Sequence, residues 1–358
     1  MNKFRTLLSV CLFVSVTVSA QEVYFFKKAL VANTPNRYGR EALYLDVLAN
    51  QMFTNTLKTP EEGATFGTSE NGEQITWQPV AADSANRLYR RGMGRGAFGR
   101  GGYMYLTYDS DKQQTALLNI KGNSALFFNG EPHTGDPYNS GWLYIPVKLR
   151  KGRNELYVRG LFITASLSFP LKQVSLNTED PTLPSIIIGE KNNELLGAIV
   201  VINTSANTLN GLQVKTNLAG KTITTNVPSV PAMSSRKVPF RFDGSTVIAV
   251  GKPTCQITLL NNGKVLDETN ITLEAVNASD KYSNTFVSGI DGSLQYYAVA
   301  PQATGIKKGA ALFLSVHGAG VEAIGQARAY KSKDWGTLVA PTNRRPRGFN
   351  WEDWGRID

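Results

Sequence analysis

Two short stretches of this chain hold residues whose types and spacing could do chemistry. The first is Val316-His317-Gly318-Ala319-Gly320, at the end of the apolar run 311–316. Small residues matter there, because a backbone N–H approaches a developing oxyanion closely only where no side chain stands in the way. A strand leading into the loop would orient such amides before reaction. Gly318 and Ala319 are the candidate oxyanion-hole donors, with His317 and Gly320 completing the loop. The plain alternative is a glycine turn at a strand end, with His317 an ordinary loop residue. After Gly320 the only serine is Ser332, in Tyr330-Lys331-Ser332-Lys333, and no histidine follows His317. A serine hydroxyl without a base is a poor nucleophile at neutral pH. No serine–histidine pair therefore follows the loop.

The second stretch is Glu131-Pro132-His133-Thr134-Gly135-Asp136-Pro137-Tyr138. Carboxylates around an imidazole are a metal-binding type of set, but one histidine is a weak one, and Pro132 and Gly135 argue for a tight loop. It is read as a structural loop, with Glu131, His133, Asp136 and Tyr138 as an alternative ligand loop and no metal assigned. No cofactor is expected. The arginine–glycine run 90–102 is similar to RGG-type nucleic-acid segments. A flexible basic loop is the favoured reading, its arginines free to touch acidic glycans or a partner domain, so no nucleic-acid partner is expected. Cys255 opens a strand-like run and reads as a buried small apolar residue.

The elements that must position these residues are mostly strands. The chain has 358 residues, which suits two or three domains. Its 33 glycines and 16 prolines punctuate short apolar runs, as in a strand-and-turn protein. Residues 1–20 read as a secretory signal: Lys3 and Arg5, an apolar run over 7–18, then Val18-Ser19-Ala20 before Gln21. Export to a periplasmic or extracellular location is the expectation. Losing this segment lowers the net charge of +10 by two and leaves Cys255 as the last cysteine, so no intrachain disulfide is expected. No later apolar stretch is long enough to cross a membrane as a helix, and no membrane association is expected after signal cleavage.

Within residues 21–180, runs such as Tyr103-Met104-Tyr105-Leu106 and Ala125-Leu126-Phe127-Phe128, the latter leading into an Asn129-Gly130 turn, predict a β-sandwich. Pro181 to Pro184 read as a linker. Seven short strands over 185–276 predict an immunoglobulin-like sandwich, with Asn261-Asn262-Gly263-Lys264 as its best hairpin signal. From 277 to 358 a hairpin around Asp291-Gly292-Ser293 precedes the runs 311–316 and 335–341, expected as strands buried on both faces, with a short helix over 325–330 between them.

Three resemblances accompany this reading. The stretches 127–131, 135–138 and 146–156 look like the jelly-roll, galactose-binding-like modules found beside many hydrolases, which sometimes bind sugars and often only pack against a neighbour. The His317-Gly318-Ala319-Gly320 loop resembles the HGGG-type element of α/β-hydrolases. Residues 340–346 and 350–358 look like the prolyl-oligopeptidase-like branch of secreted bacterial serine peptidases and esterases. Together they imply a mainly β chain: a jelly-roll-like sandwich, an immunoglobulin-like sandwich, and the truncated start of an α/β-hydrolase domain. In that fold the nucleophile, acid and base follow the oxyanion loop, so the resemblance implies an N-terminal fragment of an exported serine hydrolase acting on a peptide or ester, expected to be inactive with no catalytic residue of its own. The alternative is a non-catalytic exported glycan-binding or interaction protein.

Overall fold

The computed structural model describes residues 22–34, 46–69, 71–89, 101–305, 309–318 and 320–342. The predicted leader 1–20, most of the arginine–glycine run, Ala319 and the segment 343–358 lie outside the described residues.

The N-terminal strands form two antiparallel sheets facing each other across one apolar core. The first joins Val23–Phe25, Phe162–Ser168, Gln114–Lys121 and Ile145–Leu149, and Leu88–Tyr89 adds to the end of Phe162–Ser168. The second runs Glu131–Asp136, Asn123–Phe128, Gly152–Arg159, Gly102–Ser110, Lys28–Asn33 and Gln78–Ala81. Side-chain alternation is what makes this a sandwich. Along Phe162–Ser168, Ile163, Ala165 and Leu167 are buried in the core, while Phe162, Thr164, Ser166 and Ser168 face away from it. From the opposite sheet Met104, Leu106, Leu126, Leu156 and Val158 enter the same core. Asn129 and Gly130 both take positive φ, 51° and 88°, and close Asn123–Phe128 onto Glu131–Asp136, as the Asn-Gly pair predicts.

A smaller apolar cluster covers the outer face of the six-stranded sheet. The helix Val47–Phe53, capped by the Asp46 carboxylate on the Ala49 amide, brings Leu48 onto Phe66, Trp77, Tyr103, Tyr105 and Tyr157. The basic turn after Leu149 does not join neighbouring strands. It carries the chain from Ile145–Leu149 in one sheet to Gly152–Arg159 in the other.

A second sandwich follows. Val174–Thr182, Leu195–Asn203 and Ser234–Phe242 form one sheet; Lys221–Asn226, Leu212–Leu218, Thr254–Asn261 and Lys264–Thr272 form the other. Ile199, Val201, Val214, Phe240, Phe242, Ile257 and Leu259 fill the space between them, with Cys255 buried among them. Asn262 and Gly263, at φ 49° and 77°, make the expected hairpin turn. Val174–Thr182 pairs with Leu195–Asn203, so this strand lies in the second sandwich's sheet and reaches into the stretch read as a linker.

The last sheet is mixed, in the order Tyr282–Val287, Leu294–Ala300, Gly336–Pro341, Ala311–Leu314. The first two pairings are antiparallel and the last is parallel. The helix Ala323–Arg328 packs Ala323 and Ala327 on Tyr296, Ala298, Leu338 and Ala340. One expectation is corrected here. The run 311–316 was to be a strand buried on both faces, yet Leu312 and Leu314 are 72% and 71% exposed. Among the described residues, Ala311–Leu314 pairs on one side alone, with Gly336–Pro341, and lies at the end of the sheet. The molecule is thus mainly β, built chiefly from β-sandwiches.

Candidate functional site

The glycine loop after Ala311–Leu314 sits against the N-terminal sandwich. Gly320 has φ +74°, and a Cβ built there would meet the Tyr138 ring at 3.5 Å. One member of each predicted set is thereby brought to the other. His317 is 4% exposed, and its Nδ1 lies 2.9 Å from the Gly318 carbonyl, so this nitrogen carries the hydrogen and donates it. Ala319 lies outside the described residues, so its amide has no placement.

Glu131, His133 and Asp136 do not converge. They lie on a strand, Glu131–Asp136, whose alternation puts Glu131 and His133 on one face and Asp136 on the other. Asp136 is fully buried and accepts from the backbone amides of Ser140, at 3.0 Å, and Gly141, at 2.6 Å. It closes the turn after its own strand. His133 is half-buried; burial lowers its pKa, opposed by the Glu131 carboxylate, and its Nε2 has no hydrogen-bond partner. Among the described residues no group of histidine, cysteine and carboxylates could hold a metal ion.

A different arrangement emerges on the outer face of the five-stranded sheet. Tyr89 pairs with Phe162, and Lys121 pairs with Thr164. Residues paired directly across strands project to the same side, as do residues two apart on one strand. Ile163 points into the core, so Tyr89, Phe162, Thr164 and Lys121 share the outer face. The Tyr89 and Phe162 rings lie 5.5 Å apart at 32°, and Phe162 is 47% exposed. Arg87, two residues before Tyr89, sets its guanidinium 5.9 Å from the Phe162 ring centre.

Local turns hold this stripe in place. Asp83 accepts from the amides of Ala85 and Arg87 and takes the Arg87 side chain at 2.7–2.8 Å. These hydrogen bonds from Arg87 draw the Asp83 carboxyl below its ordinary pKa. Lys27 donates to Asn86 in the same turn. On the other flank Gly122, at φ +82°, lets the chain pass beside Phe162; a Cβ there would stand 2.2 Å from the Phe162 carbonyl oxygen. Asn119 donates to the carbonyls of Gly141 and Leu143 at 2.8 and 2.9 Å, tying the loop after Asp136 down beside the platform.

Two half-open aromatic rings with cationic and polar side chains at their edge can stack a ligand with one apolar face and hydrogen-bond its periphery. A second exposed apolar area surrounds Ala311–Leu314. There Phe313, Leu314, Tyr330 and Trp335 line a cleft of about 330 Å³, and Phe313 packs edge-on to Trp335 at 4.8 Å. Sequence reasoning found neither surface. Nothing near Tyr89 or Phe162 marks them as partners, because strand pairing alone brings them together.

No family model matches this chain, and no curated protein matches it either. Solved structures do. A GH2 β-galacturonidase from Eisenbergiella tayi bound to glycerol is 12% identical, with 83% of this chain and 48% of that one covered and a TM-score of 0.35. A putative β-galactosidase from Bacteroides fragilis is 12% identical over 86% and 46% of the two chains, with a TM-score of 0.31. A calcium-binding mutant of Bacteroides uniformis β-glucuronidase 2 is 8% identical over 84% and 36%, with a TM-score of 0.32. The chain spans less than half the length of these proteins. A likeness this distant assigns no activity to it.

The resemblance to prolyl-oligopeptidase-like peptidases and esterases is corrected by these findings, since the matched structures are glycosidases. The reading as part of a serine hydrolase acting on peptides or esters falls with it. The strand that was to anchor the oxyanion loop is solvent-exposed, and His317 spends its Nδ1 hydrogen on the adjacent carbonyl.

Proposed function

We propose that this chain is an exported, non-catalytic glycan-binding protein or part of one, with the outer-face platform of the N-terminal sandwich as its binding surface. Export rests on the leader-like residues 1–20. The proposed division is 21–180, 185–276 and 277–358, except that the strand Val174–Thr182 at the first boundary goes by its pairing with the second unit, and the platform lies in the first. The observation that carries the reading is the half-exposed Tyr89–Phe162 ring pair, at the start of a strand whose outer face continues with Thr164, Ser166 and Ser168. Sugar rings have flat C–H faces and hydroxyl edges, and the platform offers a ring pair with the Arg87 guanidinium over Phe162 and Thr164 next along the same face.

Affinity electrophoresis against plant, host and bacterial polysaccharides tests this. The wild-type chain should be retarded by at least one polymer. Phe162→Ala should weaken that binding roughly tenfold, about 1.4 kcal/mol, which lies within the range of a lost ring contact. A wild-type chain that passes every polymer unretarded would sink the reading. A second reading, as an interaction protein, is favoured by Leu312, Leu314 and Trp335 standing exposed around a sheet edge. It predicts that Leu312→Lys abolishes self-association or partner binding, read by analytical ultracentrifugation, and leaves polysaccharide retardation intact.

A further inference from the structure

Resting on the reading as an interaction protein, we infer that Ala311–Leu314 docks an extended acidic segment of a partner protein. The segment adds to the sheet as a further strand and seats one bulky apolar side chain in the aromatic cleft beside it. Ala311 and Ser315 donate their amides to the carbonyls of Trp335 and Val339, on the side of Gly336–Pro341. Main-chain groups alternate sides along a strand, so the amides and carbonyls of Leu312 and Leu314 point to the opposite edge. Among the described residues no strand pairs there. Open edges are ordinarily guarded by a charge or a proline, and Ala311-Leu312-Phe313-Leu314 has neither.

The cleft is open because the helix Ala323–Arg328 packs chiefly over Leu294–Ala300 and Gly336–Pro341, not over Ala311–Leu314. Phe313, Tyr330 and Trp335 form its apolar walls, and the last two are exposed. Its volume of about 330 Å³ is enough for one large side chain. Lys331 and Lys333 line the same cleft, and no carboxylate is among the residues that do. Among the described residues neither lysine has an ion-pair partner. Asp334, next in the chain, is exposed and pairs with neither. Two uncompensated ammonium groups at an apolar cleft call for carboxylates on the occupant. They disfavour a second copy of this chain, whose net charge is +10. Strand addition divides the work in this way: main-chain hydrogen bonds give affinity, and side-chain pockets with their charges give selectivity.

Fluorescence anisotropy on the full chain with three short synthetic peptides tests this. The first alternates valine and glutamate around a central phenylalanine. The second has lysine in place of glutamate, and the third is the acidic peptide with every amide N-methylated. The acidic peptide should bind about tenfold tighter than the basic one, with the gap closing as salt rises. N-methylation should abolish binding. Lys331→Glu combined with Lys333→Glu should invert the charge preference, while Lys264→Gln, on a hairpin of the second sandwich, should leave it unchanged. A thermal melt of each variant establishes that it folds. Equal binding of acidic and basic peptides, binding that survives N-methylation, or an acid preference that the double variant keeps at full size would each overturn the inference. Self-association lost in Leu312→Lys, with no peptide bound, would overturn it in favour of a second copy and leave the interaction reading standing. Neither peptide binding nor self-association would remove both.

Discussion

At the scale of single residues, the side chains with the most structural weight are polar and buried. Asn154 is one. Its Oδ1 accepts from the Arg150 amide at 2.8 Å and from Asn129 Nδ2 at 2.9 Å, while its Nδ2 donates to the carbonyls of Arg150, Gly152 and Tyr108. It fixes the corner where the chain crosses from one sheet to the other. Asn154→Ala would leave several buried groups unpaired and should cost about 2–3 kcal/mol, read as a lower urea midpoint. Phe162→Ala, at a half-exposed ring, should cost under about 1 kcal/mol by the same measurement. The two substitutions thus separate fold from binding. Sequence reading saw Asn129-Gly130 as a turn, since its backbone demand is local, and missed Asn154, whose partners are scattered along the chain.

Secondary-structure elements carry a different lesson. The Glu131–Asp136 stretch read as a loop because proline and glycine interrupt it. It forms a strand because Asn123–Phe128 is turned back on it by Asn129-Gly130. Gly135 is compatible with that pairing for a steric reason, as a Cβ there would fall 2.3 Å from the Asn123 carbonyl oxygen. The turn between Gln114–Lys121 and Asn123–Phe128 is equally constrained. Gly122→Ala would impose a side chain at φ +82° and against the Phe162 carbonyl, and should destabilise by more than about 1 kcal/mol. It should also weaken polysaccharide retardation, since the displaced strand carries Phe162. A variant with unchanged melting and unchanged retardation would refute the placement of this turn. Conversely, the run 311–316 was assigned two covered faces because it is uniformly apolar, but burial depends on neighbours that a run of residues does not specify.

Across the whole molecule, burial of neutral ionisable groups sets the response to alkali. Cys255 lies in the second core, and burial pushes its thiol from an ordinary 9.0 up to about 11. Tyr144 is pushed up to about 12, chiefly by burial and then by the Glu179 carboxylate. Tyr105 and Tyr157 are raised further, again with burial as the main cause. The fold holds these protons more tightly than the unfolded chain does. Their contribution is therefore complete below about pH 9 and is lost as pH climbs toward 12. Urea midpoints should be level from pH 7 to 8.5 and fall steadily above pH 9.5. Iodoacetamide should label Cys255 in the native chain at least a hundredfold more slowly than in urea, and rapid native labelling would contradict the burial seen here.

Alternation of side chains and turn chemistry are local properties, so composition and pattern were enough to establish a mainly β chain with sandwich cores and its two Asn-Gly hairpin turns. What the tertiary structure alone decided is which outward-facing residues meet. Tyr89 and Phe162 come together through strand register, Asp136 parts from Glu131 and His133 through the pleat, and Leu312 is open to solvent on a strand that, among the described residues, has a neighbour on one side alone. Each outcome is fixed by pairing between segments far apart in the chain, and no local window of sequence carries that information.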